Sequence, residues 1–131
     1  MILGRREFVV ATGATAAYAL FPFAGVEGSS KMHGLIGKIL ASPGKRDELI
    51  KILLDGVSGM QGCLSYIVAK DPADTNAIWI TEVWDGKASH AASLKLPSVR
   101  AAIAKGRPLV AGFGENLTTE PIGGHGLFKK K

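Results

Sequence analysis

The chain has 131 residues, a formal net charge of +5 and one cysteine. Its length suits one domain plus an extension, and the single cysteine excludes an internal disulfide and any metal site built from several cysteines. Residues 32–128 carry ten Lys or Arg against nine Asp or Glu. Because this part is nearly neutral and lacks a basic stripe with interleaved aromatic residues, nucleic-acid binding is disfavoured.

Residues 1–31 have the composition of a signal segment followed by a linker. The pair Arg5 and Arg6 resembles a twin-arginine export signal, and an uncharged, moderately apolar run follows over residues 8–26. We therefore expect a periplasmic or otherwise exported protein. It would contact the membrane only through this segment, if the segment is not cleaved. The alternative is a cytoplasmic protein whose translation starts at Met32.

The pattern of residues 32–122 predicts one domain with elements in the order β-α-β-β-α-β. Leucines and other apolar residues at spacings of three and four predict the first helix. Alternating apolar residues between turn-forming segments predict the strands. The predicted strands cover residues 33–41, 62–70, 77–84 and 114–122. The predicted helices cover 45–57, 88–94 and 98–104, with 109–113 as a short turn or helix. Asp85 is predicted to cap the second helix, and Leu96-Pro97 separates it from the third.

This order is typical of an α+β, ferredoxin-like fold, an antiparallel sheet with helices on one face. Strand 77–84 is apolar on both faces, yet one chain supplies helices for only one of them. The other face is therefore predicted to meet a second sheet in a homodimer, which makes a dimeric α/β barrel. Residues 123–131 read as a loose basic tail that ends in three lysines.

The most informative residues for function stand at the end of the third predicted strand. Glu82 and Trp84 share one face of it, and His90 follows in the next helix. A carboxylate in an otherwise apolar strand is costly to bury unless it is paired or used. This pattern favours a pocket floor over a plain sheet.

Several short motifs occur in a definite order: Pro43-Gly44-Lys45-Arg46, Gly62-Cys63, Trp79, Glu82-Val83-Trp84, His90 and Leu96-Pro97-Ser98-Val99. In that order and spacing, residues 33–120 resemble the antibiotic biosynthesis monooxygenase family, the small dimeric α+β barrels that include quinol monooxygenases. The resemblance implies oxidation of a quinol or polycyclic phenol by O₂ without a metal, flavin or other cofactor. The implied partners are a small aromatic substrate, O₂ and a second copy of the chain.

Such a reaction needs a protein that binds an aromatic ring, favours its deprotonated form and excludes water. His90 or Glu82 would take the proton, the choice between them staying open. Trp84, Tyr66 and Trp79 would contact the ring. Arg107 would hold an oxyanion.

Each of these residues also has a purely structural interpretation. Trp79 suits core or dimer packing, Glu82 suits a pair with a lysine or arginine, and His90 suits a partly exposed surface position. Cys63 is interpreted as a small buried hydrophobe. No two histidines show the spacing of metal ligands, so no metal site is predicted.

Two other functions compete with the monooxygenase. A non-catalytic dimer that binds a small aromatic ligand, or acts in a stress response, would need only the pocket. Haem degradation is disfavoured, because Gly37 and Ile103 stand where the haem-degrading branch carries an asparagine and a histidine.

Overall fold

The computed structural model describes residues 31–127, which form a four-stranded antiparallel sheet with three α-helices. The α+β, ferredoxin-like class is therefore confirmed, and so is the division of the second helical segment at Leu96-Pro97. The elements in chain order are β1 His33–Ala41, α1 Arg46–Asp55, β2 Cys63–Lys70, β3 Ala77–Trp84, α2 Lys87–Ser93, α3 Pro97–Gly106, a 3₁₀ turn Arg107–Leu109 and β4 Val110–Thr119.

The sheet has the strand order β2-β3-β1-β4, so β1 and β3 are central and β2 and β4 form the edges. Residues paired directly across antiparallel strands point to the same face. Tyr66, Glu82, Leu35 and Thr118 make one such row. This row lies on the face that the helices cover.

The core lies between that face and helix α1. Leu49 of α1 and Ile78 and Ile80 of β3 are buried together. Ile78 and Ile80 are two residues apart and therefore lie on the same face of the strand, and Leu49 belongs to the apolar stripe that predicted the helix. Helix α3 approaches the end of α1 closely, and a Cβ on Gly56 would come within 2.6 Å of the Ala102 methyl.

Two details of the prediction are wrong. Strand β4 begins at Val110 rather than at residue 114, because its backbone pairs with β1 from Ala41 onward. Gly112 and Gly114, which have low strand propensity, hide this start in the sequence. Asp85 does not cap α2: the N-cap is Gly86, and the Asp85 carboxylate accepts a hydrogen bond from the Ser89 hydroxyl instead.

The face of the sheet opposite the helices carries an apolar row that crosses all four strands. Ile67, Thr81, Ile36 and Leu117 are paired in sequence across it. Ile67 and Leu117, at the two edges, are 54% and 55% exposed.

None of the helices within residues 31–127 is long and apolar enough to cross a membrane. The predicted twin-arginine segment, its linker up to residue 30 and the last four residues of the basic tail lie outside the described residues.

Candidate functional site

Strand β3 places Glu82 and Trp84 side by side on the helix-covered face, as its two-residue period requires. The Trp84 indole N–H donates a 2.8 Å hydrogen bond to Glu82 Oε1. Trp84 is 1% exposed, and the Glu82 side chain is 17% exposed. The carboxylate is thus held half-buried by a donor from its own strand, with no lysine or arginine paired to it among the described residues.

Helix α2 brings His90 over this pair. The turn that starts the helix is held by the Asp85 N–H, which donates to the Gly62 carbonyl at 2.8 Å. Gly62 has φ +85°, and a Cβ there would collide with the Ser89 side chain, so only glycine fits the close approach. His90 Nε2 then lies 3.9 Å from Glu82 Oε1.

The His90 ring is packed between two other rings. Its centroid is 5.4 Å from Trp84 in an edge-on arrangement and 5.7 Å from His33. His33 is a site residue that the sequence analysis missed. The strand register could have identified it, because His33 at the start of β1 pairs with Trp84 at the end of β3.

Tyr66 on β2 lies directly across from Glu82 and faces the same cavity. Burial raises the pKa of its phenol well above the ordinary value, and the nearby Glu82 and Cys63 raise it further. Tyr66 therefore stays protonated at neutral pH and can donate a hydrogen bond. Cys63 is half-buried, and its thiol donates to the Ser65 carbonyl.

Burial moves the pKa values of the central pair in opposite directions. It raises the pKa of Glu82, although the Trp84 hydrogen bond and the charge of His33 oppose that rise. It lowers the pKa of His90 below 6.5. At 3.9 Å the two side chains are too far apart for a hydrogen bond, so desolvation dominates and favours the neutral imidazole of His90.

A cavity of about 640 Å³ opens between the sheet and the helices beside these residues. Its size is that of a pocket for a small organic ligand. Glu82, Trp84, His90 and Tyr66 line one part of it, and Arg107 lines it as well. Most other lining residues are apolar, among them Ile39, Leu53, Val99, Ile103 and Phe113.

Trp79 is the one predicted site residue that the structure places elsewhere. Its position in β3 puts it on the opposite face of the sheet from Glu82. There its indole N–H donates to Asp71 at 3.0 Å, and the Lys38 ammonium lies 5.3 Å from its ring centre. The two-residue strand period already separates positions 79 and 82, so the sequence held this signal.

Within residues 31–127 no group of three His, Cys, Asp or Glu side chains could hold a metal ion. The site offers the Glu82 carboxyl, the His90 imidazole, the Tyr66 phenol and the Arg107 guanidinium around an apolar space. Such a set can bind a flat aromatic molecule and move a proton from one of its hydroxyls.

Residues 32–105 match the sequence model of the antibiotic biosynthesis monooxygenase family. A solved structure from Chloroflexus aurantiacus, described as a candidate antibiotic biosynthesis monooxygenase, is 63% identical to this chain. That similarity covers 74% of this chain and 99% of the relative, with a TM-score of 0.73.

More distant structures share the fold. A candidate member from Bacteroides thetaiotaomicron is 16% identical over 79% of this chain and all of its own, with a TM-score of 0.65. Another, from Caulobacter crescentus, is 20% identical over 70% of this chain and 89% of its own, with a TM-score of 0.61. No curated protein matches the chain.

Proposed function

The chain belongs to the antibiotic biosynthesis monooxygenase family, and on that premise we propose that it oxidises a quinol or polycyclic phenol with O₂ and without a cofactor. The observation that carries the proposal is the position of Glu82 and His90. Both face a largely apolar cavity large enough for a flat aromatic molecule.

The proposed reaction needs no external reductant. One oxygen atom of O₂ becomes bonded to a ring carbon, the substrate loses two hydrogen atoms, and the second oxygen atom leaves as water. A quinol gives a hydroxyquinone in this way, and an anthrone gives an anthraquinone. The substrate itself supplies all four electrons that O₂ accepts.

The first step is a proton transfer from a substrate hydroxyl to His90. His90 suits this role because burial keeps its imidazole neutral at pH 7. Glu82, 3.9 Å away, stabilises the imidazolium that forms. The phenolate then gives one electron to O₂, and the two radicals combine to form the new carbon–oxygen bond.

The second step breaks the oxygen–oxygen bond of this peroxide. His90 first returns its proton to the terminal oxygen, which makes a hydroperoxide. The hydrogen on the same carbon then leaves as a proton, its electron pair forms the carbonyl, and the distal oxygen leaves as hydroxide. The proton from the carbon joins this hydroxide and completes the water molecule.

The other side chains bind and orient the substrate. Trp84 and Tyr66 contact its ring, and the protonated Tyr66 phenol donates to a substrate oxygen. Arg107 holds an anionic oxygen at another part of the cavity. Trp79 has no part in this site, and its contacts with Asp71 and Lys38 stabilise the opposite face.

We also propose that the protein is a homodimer joined through that opposite face. The row Ile67, Thr81, Ile36 and Leu117 crosses the whole sheet and has its apolar ends half exposed. A second copy packed against this row would remove both ends from water.

We propose export from the pair Arg5 and Arg6 and the uncharged run over residues 8–26. Replacing both arginines with lysine should hold the protein in the cytoplasm, whereas the native chain should appear in the periplasmic fraction. Native protein that stays in the cytoplasm would favour a start at Met32.

The reaction is tested with anthrone and a reduced naphthoquinol under ¹⁸O₂, with oxygen uptake and the product mass measured together. We expect one ¹⁸O atom in each product and no hydrogen peroxide. The His90→Gln variant serves as the control for spontaneous oxidation. Peroxide release without ¹⁸O in the product would contradict the proposal. An aromatic molecule recovered unchanged from the protein, with no uptake, would favour the binding-only alternative.

A further inference from the structure

All the charged residues between Asp85 and Glu115 are basic. This segment contains no Asp or Glu, yet it carries Lys87, Lys95, Arg100, Lys105 and Arg107. It comprises α2, α3, the 3₁₀ turn and the start of β4, which form one side of the cavity. The acidic residues of the helical layer lie instead on α1.

One of these five cations lies at the cavity, and a second lies at the groove beside it. Arg107 lines both the main cavity and a second, more open groove of about 460 Å³. Arg100 lines the groove, which shares Leu94 and Ile103 with the main cavity. The groove therefore adjoins the cavity across these shared residues, and both arginines are exposed.

Neither guanidinium is paired with a carboxylate within residues 31–127. Glu82 is the one acid among the residues that line either space. A ligand that reaches from Glu82 toward the groove would thus pass from an acid, through apolar walls, to two free cations.

From this arrangement we propose that the site takes an amphiphilic anion, an aromatic molecule whose ring fills the cavity and whose carboxylate is bound by Arg107 and Arg100. The inference rests on the proposed function for the identity of the ring and adds the charged group. Guanidinium groups bind carboxylates through paired, charge-assisted hydrogen bonds. A neutral ligand could form no charge-assisted pair with either guanidinium.

The position of Lys105 allows an anion site to be distinguished from a general attraction of anions by the basic segment. Lys105 lies on α3, between the two arginines in sequence, but it lines neither space. A diffuse field would depend on Lys105 as much as on Arg107. A built anion site would depend on the arginines alone.

The test compares anthraquinone-2-carboxylate with its neutral isostere, anthraquinone-2-carboxamide, by isothermal titration calorimetry on the full chain. Both are already oxidised, so binding is measured without any reaction. We expect the carboxylate to bind at least tenfold more tightly. Arg107→Gln and Arg100→Gln should each weaken carboxylate binding about fivefold to tenfold and change carboxamide binding less than twofold.

Lys105→Gln is the matched control and should leave both affinities unchanged. Equal binding of the two ligands by the native protein would overturn the proposal, and so would a loss in Lys105→Gln as large as that in Arg107→Gln. Because no turnover is measured, this failure is distinguishable from failure of the proposed reaction. A carboxylate preference without oxygen uptake would support the anion site and contradict only the monooxygenase.

Discussion

The indole N–H of Trp84 donates to the carboxylate of Glu82, two residues earlier on the same strand, at 2.8 Å. The bond links the most buried aromatic ring of β3 to the acid of the candidate site. It also explains how a carboxylate is accommodated in an apolar layer, since a buried acceptor needs a donor. The predictions below follow from this pair and the groups around it.

Replacing Trp84 with phenylalanine should destabilise the fold by about 2–4 kcal/mol, because it removes the donor to Glu82 and leaves a void in a buried position. Urea unfolding measures this. Trp79→Phe is the control and should cost about 1 kcal/mol. Asp71, the partner of Trp79, keeps the Ala73 N–H and Lys38. Equal losses would show that the Trp84–Glu82 bond has no special weight.

Glu82→Gln should become more stable relative to the native protein as pH rises. Burial raises the folded pKa of Glu82 above 4.5, so the neutral form is favoured and its stabilisation is lost as pH rises through the folded pKa. Glutamine cannot ionise and still accepts from Trp84. Urea unfolding from pH 4 to pH 8 should show that the free energy of unfolding of Glu82→Gln rises relative to that of the native protein and that this difference then levels off.

Asp71→Asn provides a control of opposite sign. The Ala73 N–H, more than the Trp79 indole, lowers the pKa of Asp71. The ionised Asp71 carboxylate therefore stabilises the fold at pH values above its pKa in the unfolded chain, and this stabilisation is lost as pH falls through its pKa in the folded protein. The free energy of unfolding of the native protein should therefore rise relative to that of Asp71→Asn as pH rises. The same direction in both variants would refute the assignment.

His90→Gln should lower kcat/KM by about 10²- to 10⁴-fold, the range typical of a lost proton acceptor. His125→Gln, in the exposed C-terminal segment, should keep full activity. Because burial lowers the pKa of His90, the native protein should stay active at pH 6.5 and lose activity only at lower pH. An acid limb at or above pH 6.5 would show that burial does not lower the pKa of His90, and full activity in His90→Gln would exclude His90 as the base.

His33→Asn tests a positioning role. Its ring packs on that of His90, and the smaller, uncharged asparagine lets water closer. The pKa of His90 should then rise toward its ordinary value, so the acid limb of kcat/KM should move to higher pH while the alkaline plateau changes little. Lower activity with an unmoved limb would point to a structural role alone.

Lysine at Ile67 and Leu117 should convert a dimer to monomers, because two charges per chain would be buried in the proposed interface. Analytical ultracentrifugation measures the state. Leu54→Lys, a similarly exposed leucine on α1, should leave the dimer intact. A native protein that is monomeric at micromolar concentration would end the proposal.

The sequence determined the parts of this protein that depend on local pattern. The two-residue period gave the bounds of β3 and placed Glu82 and Trp84 together, and the turn-rich segment before Ala77 gave the β2–β3 hairpin. The same period also separated Trp79 from Glu82. Five of the six predicted site residues line one cavity, and the strand period accounts for two of them, Glu82 and Trp84.

Only the tertiary structure decided the rest, because it depends on contacts between segments far apart in the chain. The start of β4 was set by pairing with β1 across more than sixty residues of sequence, and no local propensity marks it. His33 joined the site through the register of β1 on β3. The pKa directions of Glu82 and His90 likewise follow from burial, which a sequence acquires only when its helices close over the sheet.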